Sequence, residues 1–193
     1  GTVVRLAAPG AQIIDLGVRG SGKDRSNPDA CVYIEPEAVD AVVAGSTLSD
    51  CTFGIWVHKG LRTRIENNSV RGHTDISHRS NRGNAIHLFD SRELIVRGNT
   101  ATGTRDGIFV SATHDSIIEA NEATSLRYCI HYMYSFDNTI RANICTGNAS
   151  GIALMESRGL IVEDNICRDN EQRGILFRDV QYTRVANNIV EGN

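Results

Sequence analysis

The sequence predicts an all-β fold, a right-handed parallel β-helix that runs through residues 1–193 as a single domain. Two observations predict it. A small residue followed by isoleucine recurs at steps of 31, 22, 22, 22 and 23 residues, and an asparagine follows fourteen residues after each small residue. A period near 22, with short β-branched runs, is typical of coils that each contribute about three short strands. The right hand follows from the usual rule for parallel crossover connections, and we expect about eight coils.

Three columns of residues in phase define the repeat. The opening pairs are Gly54-Ile55, Ala85-Ile86, Gly107-Ile108, Cys129-Ile130, Gly151-Ile152 and Gly174-Ile175. Eleven places after the small residue stand Ile65, Val96, Ile118, Ile140, Val162 and Val185. Fourteen places after it stand Asn68, Asn99, Asn121, Asn143, Asn165 and Asn188. Asparagine tolerates the left-handed backbone of tight bends and can stack, so we predict a structural asparagine ladder.

Composition excludes several classes of function. The net charge is -3 and the pI about 6.1, so no basic field points to nucleic acid. No run approaches the roughly 20 apolar residues of a transmembrane helix. The chain begins and ends inside the repeat pattern, and stacked repeats need capping units, so we expect either a fragment of a longer chain or ends that are covered in an oligomer.

The 31-residue step contains an inserted loop at residues 71–79. Insertions in solenoids form loops on one face, which is often the binding face. Arginines and histidines are frequent around it. Two interpretations stay open, a solvated loop and a docking site for an acidic partner.

Strand alternation places the second and fourth residues after each small residue outside, because the first and third are apolar in every copy. This outer face carries aromatic, histidine and methionine side chains, where a free face is expected to be polar. Met133 and Met155 hold the same place in consecutive copies, so their Cα atoms should lie about 4.8 Å apart. His131 lies on the same face, and Cys129 has the same parity. Thioether, imidazole and thiolate suit Cu(I), and the alternative is a covered patch with adaptable methionines.

Two other cysteines, Cys145 and Cys167, share a column with small apolar residues and are expected in the core. Their stacking would permit a disulfide if the Cα atoms lie about 4.4–6.8 Å apart. Only an oxidising compartment would preserve such a bond.

Carboxylates supply an enzymatic alternative. Glu93, Asp115 and Asp137 share the eighth place after the small residue in consecutive copies, where they can bind calcium, provide acid and base, or form turns. Arg105 and Arg127 also stack, and two arginines can hold a sugar carboxylate. This pattern would fit a uronan epimerase or lyase. Asp106, between Arg105 and a glycine, is predicted to be a turn residue. A third alternative is a scaffold whose apolar strip only docks a partner.

Four segments resemble the nitrous oxide reductase maturation family NosD. They are NRGNAIHLFDS (81–91), RDGIFVSATHDS (105–116), LRYCIHYMYSFDN (126–138) and GIALMESRGL (151–160). The element RYCIHYMYS, followed one coil later by ALMESR, is the most specific of them. The resemblance covers nearly the whole chain, although family members often have a small residue at the position of Cys129.

The resemblance implies a periplasmic, non-enzymatic β-helix that handles copper. It further implies an ABC transporter of the NosF and NosY type, a NosL-type copper chaperone and nitrous oxide reductase as partners. Carried over by position, it implies His131, Met133 and Met155 as ligands of transiently bound Cu(I). His87, in the same column as His131, would then extend a transfer path. Cys129 is the least conforming of the candidate ligands.

Overall fold

The computed structural model describes all residues from 1 to 193 and is a right-handed parallel β-helix. Each coil contributes one strand to each of three parallel, eight-stranded sheets. The predicted fold class is confirmed. A short 3-10 helix, Arg79–Asn81, is the only helical element. No helix is long and apolar enough to cross a membrane.

The strands follow one another in the order of the three sheets. The first sheet contains Val4–Leu6 (β1), Ala30–Ile34 (β4), Phe53–His58 (β7), Ile86–Phe89 (β10), Asp106–Ser111 (β13), Tyr128–Met133 (β16), Ser150–Met155 (β19) and Arg173–Arg178 (β22). The second contains Gln12–Ile14 (β2), Val42–Ala44 (β5), Arg64–Glu66 (β8), Ile95–Arg97 (β11), Ile117–Glu119 (β14), Thr139–Arg141 (β17), Ile161–Glu163 (β20) and Arg184–Ala186 (β23). The third contains Gly17–Arg19 (β3), Thr47–Cys51 (β6), Ser69–Gly72 (β9), Thr100–Thr102 (β12), Glu122–Thr124 (β15), Ile144–Thr146 (β18), Ile166–Arg168 (β21) and Ile189–Glu191 (β24).

The core is a single column of apolar side chains along the axis of the β-helix. The isoleucines of the repeat stack in register from coil to coil, as Ile108 does on Ile86 and Ile130. The small residues beside them also point inward. A Cβ on Gly107 would lie only 2.8 Å from that of Ala123 in the third sheet, which explains why this position is small in almost every coil.

The asparagine ladder runs through the predicted column and is buried for most of its length. The side-chain amide of Asn143, for example, donates to Oδ1 of Asn165 at 2.9 Å and to the carbonyl of Ile118 at 2.9 Å. Its own Oδ1 accepts from the backbone and side-chain nitrogens of Asn121, each at 3.0 Å. The ladder therefore satisfies backbone groups at every bend, as a structural role requires.

Cys145 and Cys167 lie in the core, as expected, but the disulfide that their stacking would permit does not form. Cys145 and Cys167 lie in register on neighbouring strands but are not bonded to each other. Cys145 instead forms a disulfide with Cys129, and Cys31 forms one with Cys51, which leaves Cys167 as a buried free thiol. The reason lies in the backbone of β16. Cys129 and its neighbour Ile130 both belong to the core, so the alternation of faces is interrupted there and Cys129 points inward.

Arg71 and Gly72, at the start of the predicted insertion, belong to β9, and the rest of the inserted loop lies between β9 and β10. Arg79 in this loop forms a bidentate ion pair with Glu171, at 2.6 and 3.1 Å. Arg82 donates to backbone carbonyls of Ile76 and Gly103. Several basic side chains of this region are therefore paired within the chain.

Candidate functional site

A row of side chains in register lies on the outer face of the first sheet. It contains Tyr33, Trp56, His87, Phe109 and His131. The ring of His87 stacks on that of Trp56, with centroids 3.7 Å apart and planes inclined by 24°. The ring of Phe109 separates the two histidines, 4.7 Å from one centroid and 4.9 Å from the other.

The two methionines of the chain are paired in register on this same face. Met133 at the end of β16 lies beside Met155 at the end of β19. Met155 is buried, with 6% of its surface exposed, and Met133 is partly exposed. His131 is two residues before Met133 and therefore shares its face. The structure thus places His131, Met133 and Met155 on the same face of two neighbouring coils, and it leaves His87 two coils away from His131.

Cys129 does not belong to this group. Its sulfur is bonded to Cys145 in the interior of the coil, and only 2% of its surface is exposed. The prediction that Cys129 faces outward with His131 is wrong. In the disulfide form it supplies no thiolate to a metal.

A buried carboxylate lies directly beside His131. Asp106 is fully buried and receives two hydrogen bonds from Arg127, at 2.6 and 2.9 Å. Oδ2 of Asp106 is 3.3 Å from Nδ1 of His131, and Nε of Arg105 is 3.5 Å from the same oxygen. Burial raises the pKa of Asp106, but the hydrogen bonds of His131 and Arg127 and the charges of Arg127 and Arg105 outweigh it and lower the pKa to about 2. The carboxylate is therefore charged.

His87 has a different neighbour. Its Nδ1 is 3.0 Å from the side-chain nitrogen of Asn84, whose oxygen is 3.3 Å from Nε of Arg105. Burial, together with the charge of Arg105, lowers the pKa of His87 to about 3 against the opposing charge of Asp106. His87 is consequently a neutral ring at physiological pH.

The predicted carboxylate ladder exists but lies at a bend. Glu93, Asp115 and Asp137 are exposed and have positive φ angles of 56°, 51° and 56°. The backbone is left-handed here, which is a conformation that aspartate tolerates better than most residues. The carboxylate of Asp137 fills the space that a side chain at Gly159 (φ +66°) would need. These contacts favour the turn interpretation. No group of three or more His, Cys, Asp or Glu side chains is placed to hold a metal ion.

Sequence reasoning missed the importance of Asp106. It is the first residue of β13 and not a turn residue, and its side chain reaches across to the next coil. A signal was available: Arg105 and Arg127 occupy the same place in successive coils, so an acid between them was flanked by two positive charges. Asn84 carried no comparable signal.

The fold and these contacts define a β-helix protein with a histidine and two methionines on one outer sheet. Residues 66–193 match the sequence model of the family described as "Periplasmic copper-binding protein (NosD)". This match covers more than half of the chain, and the chain belongs to that family.

A curated relative supports the assignment. The chain is 34% identical over 108 residues to the "Probable ABC transporter binding protein NosD" of Pseudomonas aeruginosa. The aligned part is 55% of this chain and 25% of the relative, so the chain matches about a quarter of the relative's length.

Solved structures show similarity of the fold alone. Tailspike protein 2 of bacteriophage CBA120 superposes with a TM-score of 0.63 at 11% identity, over 91% of this chain and 32% of that one. A mutant of the periplasmic alginate epimerase AlgG has a TM-score of 0.61 at 15% identity, over 89% and 48%. A polygalacturonase from Erwinia carotovora has a TM-score of 0.55 at 9% identity, over 83% and 59%.

Proposed function

We propose that this chain is a non-enzymatic copper-handling module of the periplasm, which accepts Cu(I) and passes it on. The proposed ligands are Nε2 of His131 and the thioether sulfurs of Met133 and Met155. Membership in a family described as periplasmic and copper-binding supports the location and the metal. In this proposal copper is cargo and not a resident cofactor.

One observation carries the proposal. Nε2 of His131 is buried and has no hydrogen-bond partner, although the rest of the ring is held by Asp106 and packed against Phe109 and Tyr128. A buried polar atom without a partner costs about 1–3 kcal/mol, and such exceptions call for an explanation. A role as a metal ligand explains the missing hydrogen bond, because the lone pair of Nε2 then stays free for the metal.

The donor atoms of His131, Met133 and Met155 favour Cu(I) over other metals. Imidazole and two thioethers are soft or borderline donors that suit Cu(I), and the immediate group lacks the oxygen cage that Mg²⁺ or Ca²⁺ requires. Three neutral ligands without a thiolate hold the ion weakly, which favours release to a partner. Because Nε2 is buried, loading requires the side chains around it to move.

Partners follow from the family resemblance and from the name of the relative, an ABC transporter binding protein. We propose a NosL-type chaperone as the donor of copper and a NosF- and NosY-type transporter as the docking platform. Nitrous oxide reductase would be the final acceptor. These assignments concern the longer proteins, of which this chain matches only a part.

An anaerobic Cu(I) competition titration against a chromophoric chelator tests the proposal. We expect one Cu(I) per chain, with affinity reduced at least tenfold in His131→Gln, Met133→Leu and Met155→Leu. His114→Gln is the matched control, because His114 lies at a bend where its ring stacks on Phe136. Circular dichroism confirms that each variant is folded. Absence of binding by the wild type, or equal binding by all variants, would overturn the copper site.

A second candidate function is the binding of an acidic sugar. Arg105 and Arg127 are neighbours in successive coils, joined by a backbone hydrogen bond of 2.7 Å, and both guanidinium groups are partly open to solvent. Arginine pairs recognise carboxylates well. Calorimetric titration with galacturonate oligomers would show binding that is lost in Arg105→Gln if this candidate is correct. Heat signals that are absent or unchanged in the variant would exclude it.

A further inference from the structure

We propose that the two histidines of the outer row are held in opposite ring tautomers, so that His131 can bind copper through Nε2 and His87 cannot. Asp106 and Asn84 are the positioning residues that set the two tautomers. The two tautomers follow from the geometry around the rings, and their consequence for copper rests on the proposed function.

The tautomer of His87 follows from a chain of obligatory donors. Arg105 has only donors, so the amide atom of Asn84 that faces it must be the oxygen, here 3.3 Å from Nε. The amide nitrogen of Asn84 therefore faces His87, at 3.0 Å from Nδ1. A side-chain NH₂ only donates, so Nδ1 must accept and the proton of this neutral ring lies on Nε2.

His131 has the opposite arrangement. A carboxylate only accepts, and Oδ2 of Asp106 lies 3.3 Å from Nδ1, so Nδ1 carries a proton. A terminal nitrogen of Arg127 is 3.4 Å from the same ring atom, but it donates to Oδ2 of Asp106 at the much shorter distance of 2.6 Å. With the proton on Nδ1, the neutral ring presents a free lone pair at Nε2, the atom that is buried without a partner.

The difference in tautomer distinguishes His131, a proposed ligand, from His87, which is not one. A histidine that binds a metal usually donates its other ring N–H to a carboxylate or carbonyl, which fixes the ring and raises its basicity. His131 has this arrangement before any metal arrives, and His87 carries its proton on the nitrogen that would have to bind. The two rings are also two coils apart, about 10 Å, with Phe109 between them. The predicted role of His87 as a copper relay is therefore not part of the proposal.

Nuclear magnetic resonance of the metal-free, ¹⁵N-labelled protein tests the tautomers directly. Long-range proton–nitrogen correlations distinguish a protonated from an unprotonated ring nitrogen, and His87→Gln and His131→Gln assign the signals. We expect the Nε2–H pattern for His87 and the Nδ1–H pattern for His131. The same tautomer at both rings would overturn the inference.

An exchange of the positioning group provides a second test. In Asn84→Asp, a carboxylate faces both Arg105 and His87, so His87 is expected to change to the Nδ1–H pattern while His131 keeps its own. The amide spectrum of the variant confirms the fold. If His87 keeps the Nε2–H pattern beside a new carboxylate in the folded variant, Asn84 is not the positioning residue.

Copper binding separates this inference from the proposed function. Loss of an outer-shell partner typically weakens a metal site by about 10- to 100-fold, which is the fall in Cu(I) affinity expected for Asp106→Asn. His87→Gln should bind as the wild type does. Correct tautomers without copper binding would refute the proposed function and leave the assignment of the rings intact. Copper binding that depends on His87 as much as on His131 would refute the inference and leave the function intact.

Discussion

Cys129 and Cys145 are 16 residues apart in the sequence and are joined by a disulfide across the interior of one coil, with their Cα atoms 5.4 Å apart. The bond ties the strand that carries His131 to a strand of the third sheet. Cys167 lies beside Cys145 in the next coil and remains a thiol. The cysteine column therefore contains both an oxidised and a reduced member.

The free thiol should be inert in the folded protein. Burial raises the pKa of Cys167 to about 11, against a smaller opposing hydrogen bond from the backbone of Ile152. Because the thiolate is the reactive form, alkylation at pH 8 should label no cysteine before unfolding and Cys167 alone after it. Peptide mass spectrometry identifies the labelled residue. Label on Cys129 or Cys145 without prior reduction would contradict the disulfide.

The disulfide itself should stabilise the fold. A bond that closes a loop of this length contributes about 3 kcal/mol in the chain-entropy picture. The double variant Cys129→Ala, Cys145→Ala should therefore lose roughly that amount of unfolding free energy in a urea titration. Cys167→Ala is the control for packing, because it removes a core sulfur from the same column but breaks no disulfide. An equal loss in both variants would mean that packing, and not the cross-link, accounts for the effect.

The asparagine ladder should be sensitive in its interior and tolerant at its end. Asn143→Ala removes two donated bonds and leaves two nitrogens of Asn121 without their acceptor, all of them buried. Since each buried unsatisfied group costs about 1–3 kcal/mol, we expect a loss of several kcal/mol in chemical denaturation. Asn188→Ala, at the partly exposed end, should lose distinctly less. Similar losses at both positions would argue against burial as the reason.

Acid should weaken the fold partly through Glu119. Burial raises the pKa of this carboxylate, but hydrogen bonds from Arg141 (2.6 Å) and Arg97 (2.5 Å) and their charges outweigh it, so the pKa is lowered. A lowered pKa stabilises the folded state above the ordinary value of about 4.3, and this contribution disappears as the pH falls through the folded value. The variant Glu119→Gln lacks this stabilising contribution at every pH. The difference in unfolding free energy between wild type and Glu119→Gln should therefore shrink below about pH 4.3. A difference that stays constant down to pH 2 would show that the charge of Glu119 contributes nothing.

Oxidation should weaken copper binding through Met133. Met133 is partly exposed and Met155 is buried, so mild peroxide should convert Met133 to its sulfoxide first. The sulfoxide is no longer a soft thioether donor, and Cu(I) affinity should fall in parallel with the modified fraction found by peptide mass spectrometry. Met133→Leu, treated identically, should show little further change. An affinity that is unaffected by complete oxidation of Met133 would remove this residue from the ligand set.

Much of the fold could be predicted because every coil of a solenoid repeats the same local structure. The period of 22 residues defines the coil, and the alternation of faces correctly placed His131, Met133 and Met155 together on the outside. The same alternation failed at Cys129, because two successive residues of β16 point inward. A two-residue period assumes that successive side chains alternate between the faces, and it does not hold where two neighbours, Cys129 and Ile130, both point inward.

The sequence by itself determined the parallel β-helix, its buried asparagine ladder and the outward row of histidine, aromatic and methionine side chains, because each follows from spacing along the chain. Only the tertiary structure decided which groups meet between coils. The disulfide partner of Cys129, the hydrogen bonds of Arg127 to Asp106, and the contact of Asp106 with His131 all depend on the directions in which the side chains point. Residues 16, 21 and 25 apart in the sequence become neighbours there, and no periodicity specifies which atoms of their side chains face each other.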